Sequence, residues 1–437
     1  MVKRIGIGLV VLAAFVSLVA GCEQFEEPLP RRDRLHYPIG LALHPSGNYL
    51  YAVNSNFDGR YTTDRGGTIS VIDTRTLSLY PEGGAFIPSY AGYGALNADA
   101  SKLYVTARAG DSLVALDVTA DGSAVYCGRA SQGTALSSDG LACTVRQIKE
   151  DGNARVPSDP FGLAVATITR QIGDQAVPVD VVGLAHLNST SLTALSFPGQ
   201  DINAANLRSS PLIESSNQIA IRPGTLDMVA TGRATNRLLI FTPYISPTGE
   251  VEALIRRGQI ELVRVANQSV DARGVAFSGD GRALYVTSRF PDALHVFRVV
   301  VADVETGAGT QYELARVVSL GQNPSDVAVH RAKDASADML YIPLSSGRAV
   351  QVVDPLRGVV VAEIELDATP YHIVTEATLP TRCRYPGDVC RAFVSLFNDS
   401  PDASKSCDDT AVGCGSIAVI DLDPASRRYH RVIAKIH

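Results

Sequence analysis

The apolar positions of this chain fall in short alternating runs instead of helical stripes. Leu103 to Leu116 reads "LYVTARAGDSLVAL", and the pattern returns as "MVATGRATNRLLIF" and "LYVTSRFPDALHVF". Period-two alternation interrupted by Gly, Asp and Asn predicts β-hairpins. Upstream of such hairpins lie brief runs of small apolar residues, "GLAL", "QIAI", "GVAF" and "DVAV". They are apolar on both sides, as an inner strand wedged between neighbouring sheets must be. Turn sequences such as "HPSGNY" and "SGDGRA" supply Gly, Asn or Asp where a reversal needs positive φ.

These pieces recur in a fixed order from a "P-x-G" start or its equivalent, at Pro38, Gly92, Pro160, Ser216, Ala272, Pro324 and Pro370. Spacing varies because polar insertions, such as Thr119 to Val156, separate the strands. Each unit is a small twisted sheet with two faces to hide from water, and radial stacking hides both. The expectation is an all-β chain, a seven-bladed β-propeller of four-stranded antiparallel blades over residues 37–437. The degenerate second and third units leave six or eight blades as alternatives. The last unit ends in its own outer strand, "YHRVIAKIH", so the ring has no need of an N-terminal strand to close.

"LYAVN", "LYVTA" and "LYVTS", with "GTISVIDT" and "GSIAVIDL", resemble the YVTN-type β-propeller repeat, a relative of NHL and lactonase-like propellers. The resemblance covers nearly everything after Tyr37 and implies the propeller fold. For activity it implies less, since that repeat occurs in surface proteins, lactonases and redox-enzyme domains alike.

The front of the chain carries a different signal. Lys3 and Arg4 precede an apolar stretch, Ile5 to Val19, and "LVAGC" ends at Cys22, a pattern that resembles a bacterial lipoprotein signal. The apolar run is shorter than the roughly 20 residues of a membrane span. Residues 1–21 are therefore expected to be a signal peptide, with Cys22 lipidated and residues 22–36 a tether to the membrane. That places the ring in the cell envelope, on the periplasmic or cell-surface side. Without Cys22, Cys127, Cys143, Cys383, Cys390, Cys407 and Cys414 remain. Sequence proximity favours disulfides 127 with 143, 383 with 390, and 407 with 414. The C-x6-C spacing of the last two pairs departs from structural zinc sites, and no metal is expected.

A formal charge of −6 without a lysine-rich run argues against nucleic acid as a partner, and nothing indicates other than a monomer. The signatures of covalent haem, of nucleophile elbows, of H-E-x-x-H zinc sites and of phosphate-binding glycine loops are missing from the sequence, and no cofactor is expected. "NSNFDG", Asn54 to Gly59, departs from the calcium-loop pattern and reads as an ordered turn.

Candidate chemistry gathers on one rim. The arginine-bearing hairpins align over Thr106–Leu116, Thr231–Phe241 and Thr287–Phe297, which places Arg108, Arg233 and Arg289 in equivalent loops. The variable residue of each "P-x-G" start should join them, Arg273 and Tyr371 among these. Asp326 and His372 stand where four other units have glycine. An exposed loop arginine is ordinarily a solvated group, and a histidine atop a strand ordinarily a structural one. Arginine forks nevertheless suit carboxylate or phosphate. Two functions follow. One is a non-enzymatic scaffold binding an envelope protein, a glycan or a small anionic ligand. The other is a lactonase-like hydrolase at the top of the channel, with His372 as base and Arg273 or Arg289 stabilising negative charge.

Overall fold

In the computed structural model the described residues are 29–61, 64–128, 138–146, 155–212, 214–263, 269–301, 309–331, 338–379, 382–400 and 414–437. They form seven separate antiparallel sheets in chain order. The fold is a seven-bladed β-propeller, and among the described residues the only helices are single 3-10 turns. No described helix is long and apolar enough to cross a membrane. Cys22 and Cys407, and with them the anchor and the 407–414 pairing, lie outside the described residues.

Every predicted start lies at the top of an inner strand. The inner strands run Pro38–Leu43, Ala91–Leu96, Pro160–Ile172, Ser216–Ile221, Asp271–Phe277, Ala328–His330 and Pro370–Thr375. Six of them shift register within their first residues, between Pro38 and Gly40, Ala91 and Gly94, Pro160 and Leu163, Ser216 and Ile219, Ala272 and Val275, and Pro370 and Ile373. In the sixth blade Pro324 makes a lone bridge to Leu344 before the strand resumes at Ala328. "P-x-G" is thus the sequence of a β-bulge, which re-aims one side chain and frees its backbone groups.

The freed groups find partners across the seams. The carbonyl of the variable residue accepts a hydrogen bond from the preceding blade: Thr106 Oγ1 to Phe161 at 2.6 Å, Ser325 Oγ to Tyr371 at 2.8 Å, Ser395 Oγ to Ile39 at 3.3 Å and Asn217 Nδ2 to Arg273 at 3.4 Å. Within a blade, Thr231, Thr287 and Ser395 accept the amide of the residue at the glycine column, at 2.9, 2.9 and 3.0 Å. These are the hydroxyls of the recurring "VAT", "YVT" and "FVS", and all are buried. They satisfy groups that a bulge would otherwise leave orphaned.

The outer positions are less regular. In the first two blades two short strands share the fourth position: Ser78–Leu79 with Ala85–Ile87, and Val125–Tyr126 with Thr144–Val145. The insertion after Thr119 therefore completes its blade, and the Cys127–Cys143 disulfide joins the end of the first piece to the start of the second. The Cys383–Cys390 disulfide also forms, in the seventh blade.

The seventh sheet takes all four strands from the C-terminal unit, and the ring closes by packing. Leu35, Leu41, Leu50, Ala52 and Ile72 meet Phe393, Ile417, Val419 and Ile436 in one buried cluster. Leu35 and His36, at the end of the expected tether, are themselves buried, and His36 bridges to Cys414. Arg391 ties the seam by donating to both Glu376 oxygens, at 2.7 and 3.0 Å, and to the Thr74 carbonyl at 2.7 Å.

Candidate functional site

The bulges place the variable residues around the axis, where three aromatic rings form a layer across it. Tyr93 and Phe161 meet edge-on with centroids 5.3 Å apart, and Tyr371 lies 6.4 Å from each. Tyr93 and Phe161 are buried, whereas Tyr371 keeps partial exposure on the upper face. The loops between second and third strands open on that same face.

Three guanidinium groups act electrostatically on Tyr371, those of Arg273, Arg289 and Arg108. Arg108 donates from Nε to Asp159 at 3.0 Å, reaching from the second blade to the third. Arg273 pairs with Asp271 and donates to Asn217 Oδ1 at 3.4 Å. Arg289 reaches the Pro324 carbonyl at 3.4 Å and Ser345 Oγ at 3.3 Å in the sixth blade. No carboxylate among the described residues lies within ion-pair distance of it. Burial and then the neighbouring Arg273 push the Arg289 pKa down, as expected of a partly desolvated cation beside a like charge. Burial raises the Tyr371 hydroxyl to about 12, against the pull of the cations.

Arg233 does not join this group. It donates to the Leu187 carbonyl at 3.0 Å, leaning back on the third blade. The arginines share one face, as their alignment requires, but each leans on a neighbouring blade, and only two of the loop arginines act on the axis.

His372 and Asp326 lie under the aromatic layer. They line a cavity of about 490 Å³ that also takes in Tyr93 and Gln218 but none of the arginines. His372 Nδ1 accepts the Leu41 amide at 3.0 Å across the seam, and Nε2 lies 3.4 Å from Asp326 Oδ2. With Nδ1 accepting, the neutral ring carries its proton on Nε2 and offers no free lone pair. Burial lowers the His372 pKa, opposed by Asp326, and favours that neutral form. Asp326 Oδ2 in turn accepts the Ile373 amide at 3.3 Å. The expected pairing of His372 with an arginine does not show among its contacts: its partners are the Leu41 amide, Asp326 and the Tyr93 ring, and no arginine of the described residues bonds to it.

Gln218 is the residue that sequence reasoning passed over. It occupies the glycine column in "SNQIAI", as Asp326 and His372 do in their units, and the same alignment would have found it. The turn Asn54–Gly59 satisfies its own polar groups: Asn54 donates to Thr68 and Ser70, Asn56 to Tyr61 and Ser89, and Asp58 pairs with His36.

No known protein family matches the sequence, and no curated protein is significantly similar to it. Solved structures share the fold. The Pseudomonas aeruginosa periplasmic gluconolactonase is 16% identical with a TM-score of 0.52, over 75% of this chain and 85% of that one. A putative 6-phosphogluconolactonase from Bacteroides uniformis is 15% identical with a TM-score of 0.50, over 76% and 87%. The hydrazine synthase of Kuenenia stuttgartiensis is 14% identical with a TM-score of 0.50, over 86% and 96%. Such different chemistries on one scaffold leave the likeness as one of fold.

Proposed function

We propose that the ring binds a small carboxylate-bearing ligand of the sugar-acid class on its upper face, against Tyr371, Arg273 and Arg289. The observation that carries this reading is Arg289, a partly buried cation with hydroxyl and carbonyl contacts whose neighbouring carboxylates, Asp271 and Asp292, stay beyond ion-pair distance. A guanidinium in that state gains most from an incoming anion, which it grips bidentately. The names of the gluconolactonase neighbours favour a lactone or its acid over an envelope protein as the ligand. Anchoring through Cys22 would hold this face within the cell envelope, off the bilayer.

Calorimetry with gluconate, 6-phosphogluconate and the neutral polyol sorbitol tests the reading. Both acids should bind, sorbitol should not, and Arg289→Ala should weaken the acids about tenfold or more, the loss of one charged hydrogen-bonding partner. Equal affinity in wild type and variant overturns it.

A second reading, lactone hydrolysis, is favoured by those same neighbours, because opening a sugar lactone yields the acid that Arg289 would hold. Glucono-lactone turnover above the spontaneous rate would support it. The engaged nitrogens of His372 predict that any such turnover survives His372→Gln, with another group or unassisted water doing the attack.

A further inference from the structure

The cavity beneath the aromatic layer is a second site of different chemistry. Its walls are apolar side chains from several blades, among them Leu41, Leu163, Ile219, Val275 and Ile373, and its mouth is at the partly exposed Leu43 and Leu96, toward the lower face. Its volume of about 490 Å³ is in the range that encloses a small organic molecule. Under the layer it turns polar. The Tyr93 hydroxyl is buried there, the residue being 3% exposed, and has no hydrogen-bond partner among the described residues. Gln218 is the polar side chain that acts on it, at more than ordinary hydrogen-bond length, and Asp326 and His372 complete the end wall.

A buried hydroxyl without a partner is costly, by about 1–3 kcal/mol in proteins, and the few such groups call for an explanation. Asp326 and His372 are committed to neighbouring amides, so they do not relieve it. The uncommitted groups at this end are the phenol O–H and the Gln218 amide. Both can donate to one oxygen.

We propose that this lower axial cavity binds a neutral molecule with an apolar body and a single carbonyl oxygen as its head, the oxygen accepting from Tyr93 and Gln218. Anions are excluded by the Asp326 carboxylate in the end wall and by the apolar approach. Arg289, Arg273 and Tyr371 do not line this cavity, and the Tyr93 ring is what the two sites share.

Two probes with nearly the same carbon body test it: menthone, which carries a carbonyl, and p-cymene, which does not. Ligand-observed NMR titration of the folded ring should show menthone binding about tenfold more tightly than p-cymene. Tyr93→Phe, which keeps the ring layer, should bring menthone down to the level of p-cymene and leave p-cymene unchanged. Arg289→Ala should alter neither. Equal binding of the two probes, no binding of menthone, or a menthone affinity that follows Arg289 in place of Tyr93 would each overturn the proposal. Melting of Tyr93→Phe that is not lowered, and is raised where the unpartnered hydroxyl is removed, checks that the variant reports on the site and not on a damaged fold.

Discussion

The two sides of the Tyr93–Phe161–Tyr371 layer solve the same problem with opposite materials. Above it, loops from neighbouring blades are joined by guanidinium groups, partly wet and permanently charged. Below it, the inner strands meet through glycines and through neutral or paired side chains at the same column of the repeat. Adjacent residues of one unit serve the two sides: Arg273 and Tyr371 at the variable position belong to the upper, Gln218, Asp326 and His372 at the glycine column line the lower, and Tyr93 reaches from the layer into the lower cavity. The bulge makes this division, because it turns two consecutive side chains to different surroundings. Duplication of one unit therefore produces a cationic face and an apolar cavity together, and ligand chemistry on the two faces can diverge independently.

Breaking the lower side should cost most. A Cβ on Gly274 would lie 2.6–2.8 Å from Asp326 and Val327 backbone atoms of the next blade, and one on Gly162 2.4 Å from the Asn217 carbonyl oxygen. Backbone cannot swing aside, so the seam must open. Gly274→Ala should destabilise the protein by about 3 kcal/mol, the scale of overpacking in a dense interior. Gly279→Ala, where a Cβ meets nothing within 4 Å and φ is ordinary, should stay within about 0.5 kcal/mol. Urea unfolding of the pair checks the contrast, and comparable losses at the two sites would show that the inner strands are not in such close contact.

Acid should weaken the fold next. All eight histidines have pKa values lowered in the folded chain, with burial as the first cause in each. The unfolded chain takes up these protons near pH 6.5 and the folded chain only at lower pH. Stability is therefore complete above about 6.5 and falls as pH drops toward the folded values. His186 and His330, both held near 4, should each cost about 2 kcal/mol between pH 7 and pH 5. Melting temperature measured across that range should fall steadily, and His186→Gln should flatten the slope. A flat profile in the parent protein would contradict the neutral, buried imidazoles.

The sequence reveals the lower side better than the upper. The seven starts align with the seven bulges because a bulge has local requirements, a Pro or small residue, a free side chain and a glycine, all within three positions. Gln218, Asp326 and His372 are visible as departures from that column. The partners of the arginines are not, since Arg108 finds Asp159 after 51 residues and Arg289 finds Ser345 after 56. Alignment shows that such loops share a face, but only the ring geometry decides which arginine is paired. The outer strands of the first two blades were illegible for a similar reason: pieces of two or three residues carry no period of their own.

The finest test of the comparison lies within the upper face itself. Arg108 has a carboxylate partner and Arg289 has none, although the two occupy the same column of the repeat. Arg108→Ala should cost about 1 kcal/mol or less, the worth of a partly exposed ion pair, and leave Asp159 without its charge partner. Arg289→Ala removes a partly buried cation that repels Arg273 and attracts Asp271 and Asp292, so the gain and loss nearly offset and stability should stay within about 0.5 kcal/mol while gluconate binding fails. Ligand affinity would then fall with stability nearly unchanged at Arg289 only. If Arg289→Ala destabilises as much as Arg108→Ala, the residue is a clasp between blades like the others, and the upper face has no cation held in reserve for a ligand.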